Sequence, residues 1–306
     1  MAIVPRKVST GIFVLGAAAL ALSGLLAGAC RQERWMPLRH QACTAIAESL
    51  VVPPVVRAWA LNGKGLALYE TGQFAEAIVA FEAAIREQPS SPHLYNNLAN
   101  VHRVRGEPAR AQEEYGRAIA ADPQYGRAYL NRGMLRFVAG DFRKALPDLD
   151  TAVRLQPQAS SPLTVRGNIK LAMGDAGGAV ADQTAAIALT PDYPLPYGNR
   201  GCARLLGGAI DEARADFLRA IALSAQTSDL VPDPDRETVG SAPHDRNLLQ
   251  FMLRLTEPAA GAPARDAAPA KFALVARRMQ EVTCGAIQHA PAPVPLAQQA
   301  FGWRRP

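Results

Sequence analysis

The sequence predicts an all-α array of helical hairpins, each stacked on the next to form a superhelical solenoid. Three observations carry this. Pro89, Pro123, Pro157 and Pro191 stand thirty-four residues apart. A glycine falls fifteen residues into each unit, at Gly72, Gly106, Gly140, Gly174 and Gly208. Alanines follow it at fixed distances, at Ala77, Ala111, Ala145, Ala179 and Ala213, then at Ala84, Ala118, Ala152, Ala186 and Ala220. Five units in one register make a repeat. The fifth has Ala225 in the place of the proline.

Each position has a physical role in a hairpin. The glycine adopts the left-handed conformation that ends the first helix and starts the turn. Apolar residues recur at helical spacing, as in Phe81, Ala84 and Ile85, or Phe217, Ala220 and Ile221. The alanines, with Gly65, Ala99, Gly133, Gly167 and Gly201, let helices approach closely. Proline cannot continue the second helix, so the next unit begins there. One hairpin cannot bury its apolar face, and stacking on neighbours does so.

Ala58 to Ala225 in this register resembles the tetratricopeptide repeat family. The unit from Tyr129-Leu-Asn-Arg-Gly133 through Gly140, Ala145, Ala152 and Pro157 is the best fit. Repeat four departs from the pattern, with Gln183 at a large apolar position and Gly177 and Gly178 inside its second helix. The resemblance implies a right-handed superhelical solenoid of about five repeats over residues 58–227, acting as a binding or scaffolding module. It places the ligand surface on the concave face, at positions two, five, six, nine and twelve of each first helix. Those positions supply Trp59, Asn62, Leu66, Tyr69, His93, Asn96, Asn97, Asn100 and Arg103 in repeats one and two. Arg127, Leu130, Asn131, Met134, Phe137, Thr164, Asn168, Leu171, Asn199 and Leu205 follow. An amide both donates and accepts, so exposed asparagines suit an extended peptide backbone, with Tyr69, Met134 and Phe137 as apolar anchors. The family's carboxylate clamp is incomplete, because Ser161 and Val165 stand where later basic residues are expected.

Residues 1–29 are of another kind. Arg6 and Lys7 precede an uncharged apolar run from Ile12 to Ala29, ending in Ala27-Gly28-Ala29. That is the layout of a secretory signal, and the run is also long enough for an uncleaved anchor. Cys30 then resembles the bacterial lipoprotein cysteine, whose thiol takes a diacylglyceryl group, although Ala27 stands where leucine is usual. Cleavage after Ala29 without lipidation fits the same residues, and the sequence leaves the alternatives open.

The remaining segments are assigned by composition. Residues 30–57 form a linker and short helix, with Leu38, Ala42, Ala45 and Ile46 on one side and Pro53-Pro54 ending it. This segment either caps the first hairpin or connects the repeats to a membrane. Residues 228–243 read as a linker and 244–256 as a capping helix through Leu248, Phe251, Met252 and Leu255. An Ala/Pro linker over 257–270 leads to a C-terminal helix over 271–289 and a disordered tail over 290–306.

No catalytic constellation emerges. The sequence has no GxSxG elbow, HExxH helix, P-loop or GxGxxG cradle. His93 and His102 share a helix but are nine residues apart, on opposite faces, which opposes joint metal binding. A net charge of +6 over 306 residues, without a basic block, gives little support for nucleic acid binding. No cofactor and no small-molecule substrate are expected. Of Cys30, Cys43, Cys202 and Cys284, the pair Cys43–Cys284 lies outside the repeats and is one candidate disulfide, with unpaired thiols the alternative.

The repeats also act as an internal alignment. Arg132, Arg166 and Arg200 occupy position seven, and the same units carry Asp148, Asp182 and Asp216 sixteen residues later. Their joint occurrence predicts an arginine fork against a carboxylate between the two helices of each hairpin. The expectation is an exported, non-enzymatic scaffold or assembly adaptor of the cell envelope, lipid-anchored or periplasmic, binding a protein or peptide. A spacer without a groove ligand, or an accessory subunit of an envelope enzyme, is the alternative.

Overall fold

The structure is a computed structural model that describes Cys30, residues 36–48 and residues 52–228. The signal over 1–29, the 244–256 and 271–289 helices, the 257–270 linker and the 290–306 tail lie outside the described residues, as does nearly all of the 228–243 linker. Among the described residues the chain is all-helical. They divide into two compact units, one reaching Asp122 and the other starting at Pro123.

The first unit holds α1 (Met36–Glu48), α2 (Pro54–Glu70), α3 (Phe74–Glu87), α4 (Pro92–Val104) and α5 (Pro108–Ala121). Helices α2/α3 and α4/α5 form two hairpins, α3 packs on α4, and α1 packs on α2. The short helix expected before the repeats is therefore an end piece against the first hairpin. Helix α2 begins at Pro54, four residues before the repeat register, with proline at its N-terminus where a missing N–H costs nothing.

The second unit holds α6 (Gly126–Val138), α7 (Phe142–Leu155), α8 (Ser160–Ala172), α9 (Ala176–Leu189), α10 (Pro194–Leu206) and α11 (Ile210–Ser228). Three hairpins form, α6/α7, α8/α9 and α10/α11, with α7 packed on α8 and α9 on α10. Helix α11 continues through Ser228, so residue 228, expected to open a linker, is still helical.

All five turn glycines have positive φ, between 73° and 87°. The residue after each donates its N–H five residues back, as Gln73 to Leu68 at 2.8 Å and Asp175 to Lys170 at 2.9 Å. This glycine-dependent cap satisfies carbonyls that the helix end leaves open. The ten repeat alanines are at most 1% exposed, so both alanine positions sit in the tightest helix contacts. Gly65, Gly133, Gly167 and Gly201 of the first helices face Phe81, Leu149, Gln183 and Phe217 of the second. A Cβ on Gly201 would stand 2.6 Å from the Phe217 ring.

Candidate functional site

The first unit brings the groove asparagines together and uses them internally. Asn97 Nδ2 donates to Asn62 Oδ1 at 2.9 Å, linking successive first helices. Tyr115 Oη donates to Asn100 Oδ1 at 2.6 Å, from the second helix of the same hairpin. Asn62, Asn96, Asn97 and Asn100 are between 1% and 6% exposed. The sequence reading expects exposed amides here, and the structure buries them. A buried carboxamide without a partner is costly, so neighbouring amides and Tyr115 satisfy one another.

Tyr69 and Arg103 lie at the ends of α2 and α4, both half-buried. Burial pushes the Tyr69 phenol above its ordinary value, and the charge of Arg103 draws it partly back. The Tyr69 ring packs against Phe74 with centroids 5.8 Å apart. Tyr69 lies two helical turns beyond Asn62 on α2 and feels the charge of Arg103 on α4, so an aromatic edge and a cation meet at that end of the two helices.

The second unit differs. Asn131 and Asn168 are 7% and 8% exposed. Phe137, expected as an anchor in the groove, is core instead: it is 1% exposed, packed with Leu149, Val165 and Ile169 and against the Phe142 ring. Met134 is half-buried against the same cluster. Arg127 lies by Tyr125, whose phenol is pushed up by burial and eased down by that guanidinium. Asn168 accepts from Gln183 Nε2 at 3.0 Å. Asn199 Nδ2 is buried with no hydrogen-bond partner.

The arginine–aspartate forks form in all three hairpins of this unit. Each arginine gives Nε and Nη2 to the two carboxylate oxygens, at 2.9 and 2.7 Å. A second cation, four residues further along, reaches each aspartate: Arg136 at 2.8 Å, Lys170 at 2.9 Å and Arg204 at 2.7 Å. The fork also ties repeats together, since Arg166 Nη1 reaches Asp150 at 2.9 Å and Arg200 Nη1 reaches Thr184 at 3.2 Å. The sequence reading missed the second cation, although its i+4 spacing repeats in the same register. These residues hold the array together.

Cys30 is joined to Cys43 in a disulfide, Cα atoms 5.0 Å apart. This corrects one expectation: Cys43 pairs with Cys30 and not with Cys284. The neighbourhood explains the pairing, since α1 places Cys43 at the α2 contact beside Cys30. Cys202 is free and half-buried, and the burial of its thiol pushes it up to about 12. Among the described residues no group of three metal-ligating side chains comes together, and no helix is long and apolar enough to cross a membrane. His102 Nδ1 lies 2.6 Å from Glu107 Oε2, a contact that draws the Glu107 carboxyl below its usual range.

Two family models match this geometry, tetratricopeptide repeat over residues 96–160 and TPR repeat over residues 65–103. They support assignment of this stretch to the tetratricopeptide repeat family. A solved tetratricopeptide repeat protein from Parabacteroides merdae superposes with TM-score 0.53 at 14% identity, over 77% of this chain and 99% of that one. MamA from Desulfovibrio magneticus, from residue 41 to its end, gives TM-score 0.50 at 15% identity, over 55% and 96%. Both are likenesses of fold. No curated protein matches the sequence.

Proposed function

We propose that this chain is a non-enzymatic scaffold or assembly adaptor of the cell envelope that binds a protein or peptide in its repeat groove. The observation that carries the reading is the Tyr69–Arg103 pair at the ends of α2 and α4, on helices joined by the Asn62–Asn97 rung. The rung uses its hydrogen bond inside the fold, so an extended ligand meets the edge that it positions. Tyr69 adds apolar contact and Arg103 a charge for an acidic or terminal carboxylate group. Export is supported by the residue 1–29 pattern and by a disulfide, the bond of an oxidising compartment.

The test is site-specific photocrosslinking in intact cells, with the photoreactive residue at position 69 and a control at Val79, which is 62% exposed on α3. The proposal expects one protein adduct from position 69, lost when Arg103→Glu is added. Adducts from Val79 alone, or from neither position, support the spacer reading instead. A reporter fused after Pro306 tests export independently, and activity confined to the cytoplasm removes it.

A further inference from the structure

Gly63 stands where three later repeats carry Asn97, Asn131 and Asn199. A Cβ on Gly63 would lie 2.8 Å from Cys43 Sγ and 3.0 Å from Cys30 Sγ. The disulfide thus fills the space that a side chain occupies at this position elsewhere, and the two exclude each other. Cys30 and Cys43 are 2% and 0% exposed, in a cluster with Ala42, Ile46 and Ala60. Trp59, Val52 and Val56 pack around this cluster, and α1 has thirteen residues, too few to hold a helix by itself.

We propose that the disulfide is the mature state of Cys30 and the fastening of the end piece: it ties residue 30 to α1 and so restricts the unfolded segment, favouring α1 folded on the first hairpin, with Gly63 as its seat. One sulfur cannot carry both a thioether lipid and an S–S bond, so the modification at Cys30 is a cross-link within the chain. Its formation joins two thiols, while two protons and two electrons pass to a disulfide-bearing oxidant that leaves as a dithiol. An exported location supplies such an oxidant, and only there does the inference rest on the functional reading above. A dithiol reductant reverses the same balance, returning two thiols and removing that loop constraint from α1. With thirteen residues of separation, the closed loop is worth about 3 kcal/mol, roughly a hundredfold in the equilibrium for opening.

The test uses the full-length chain isolated from its own cells without reductant. Thiols are alkylated under denaturing conditions and the peptides weighed. The expected product is a Cys30–Cys43 linked peptide; a diacylglyceryl mass on Cys30, or two alkylated cysteines, overturns the proposal. Limited proteolysis within α1 should then speed up by roughly a hundredfold on adding a dithiol. An unchanged rate refutes the fastening. Gly63→Asn should leave Cys30 and Cys43 alkylatable and α1 cleaved at the reduced rate with no reductant present. A Gly63→Asn chain with the cross-link intact and α1 protected refutes the seat. A chain recovered reduced from the cytoplasm that protects α1 once oxidised glutathione is added supports the fastening while refuting export.

Discussion

Gln183 Nε2 donates to the side-chain oxygen of Asn168 and the backbone oxygen of Thr164, at 3.0 Å each. The two side chains occupy positions that face each other in every hairpin, and the pairs match in kind. Tyr115 meets Asn100, polar with polar, while Leu66 with Phe81 and Met134 with Leu149 are apolar with apolar. The amide nitrogen of the polar residue in repeat four is thus compensated across the hairpin, whereas its Oε1 is buried without a hydrogen-bond partner. Gln183→Leu should cost about 1–3 kcal/mol, because Asn168 loses its partner in a buried site. Adding Asn168→Met, which copies the Met134–Leu149 pair, should recover most of that. Hydrogen exchange in α8 and α9 measures both, and additive effects would mean the pair is not coupled.

The forks give a second expectation. Asp182 is held by Arg166 and Lys170, and its side chain is only 6% exposed. Removing the carboxylate leaves two partly buried cations facing each other, whereas removing either cation leaves the other in place. Asp182→Ala should therefore cost about 3 kcal/mol and Lys170→Ala about 1 kcal/mol. Arg166→Ala falls between them and also loosens the tie to Asp150. Urea unfolding of the four chains orders them, and equal losses from Asp182→Ala and Lys170→Ala would refute the shared-carboxylate account.

The hairpins and forks were legible because each is repeated. Arg132, Arg166 and Arg200 appear together with their aspartates, so the sequence supplies its own control. The second cation was in the same register and needed only a comparison of Arg136, Lys170 and Arg204. The burial of the groove amides was less accessible. Helical spacing puts Asn97 on a face, but whether that face meets solvent depends on the preceding first helix, where Asn62 closes on it. The disulfide was hidden for a related reason. Cys30 lies outside any periodic pattern, and only the packing of α1 on α2 brings it to Cys43. Phe137 matches a groove position by number, yet it turns into the core because Phe142 and Ile169 lie beside it.

Cys202 should be slow toward alkylating reagents in the folded chain. Burial pushes its thiol up to about 12, above the ordinary cysteine range, so the neutral thiol dominates at pH 8. The thiolate is the nucleophile, and its fraction falls roughly a thousandfold relative to an unperturbed cysteine. Iodoacetamide labelling followed by peptide mass measurement checks this, with the rate expected to rise on adding urea. Because the folded-state value is raised, ionising this thiol above pH 8 draws the chain toward the unfolded state, and stability should fall as pH rises there. Rapid labelling of Cys202 in the native chain would refute the buried environment.

Asn97 separates a structural amide from a binding one. It is 5% exposed and gives Nδ2 to Asn62 Oδ1, so Asn97→Ala leaves a buried acceptor without its donor. The folded chain should lose about 1–2 kcal/mol, in contrast to a solvated surface asparagine, which would lose almost nothing. Asn62→Ala should cost a similar amount, and the double variant little more than either, because one bond is shared. Tyr69→Ala and Arg103→Ala act differently, since neither closes the rung. They should leave helical content near its original level and weaken capture of the crosslinked partner by roughly tenfold or more, the scale of a lost interfacial aromatic or arginine contact. Circular dichroism and affinity for that partner are measured on all five variants. If Asn97→Ala abolishes capture without loss of stability while Tyr69→Ala and Arg103→Ala bind normally, the amide rung itself contacts the ligand and the Tyr69–Arg103 edge does not.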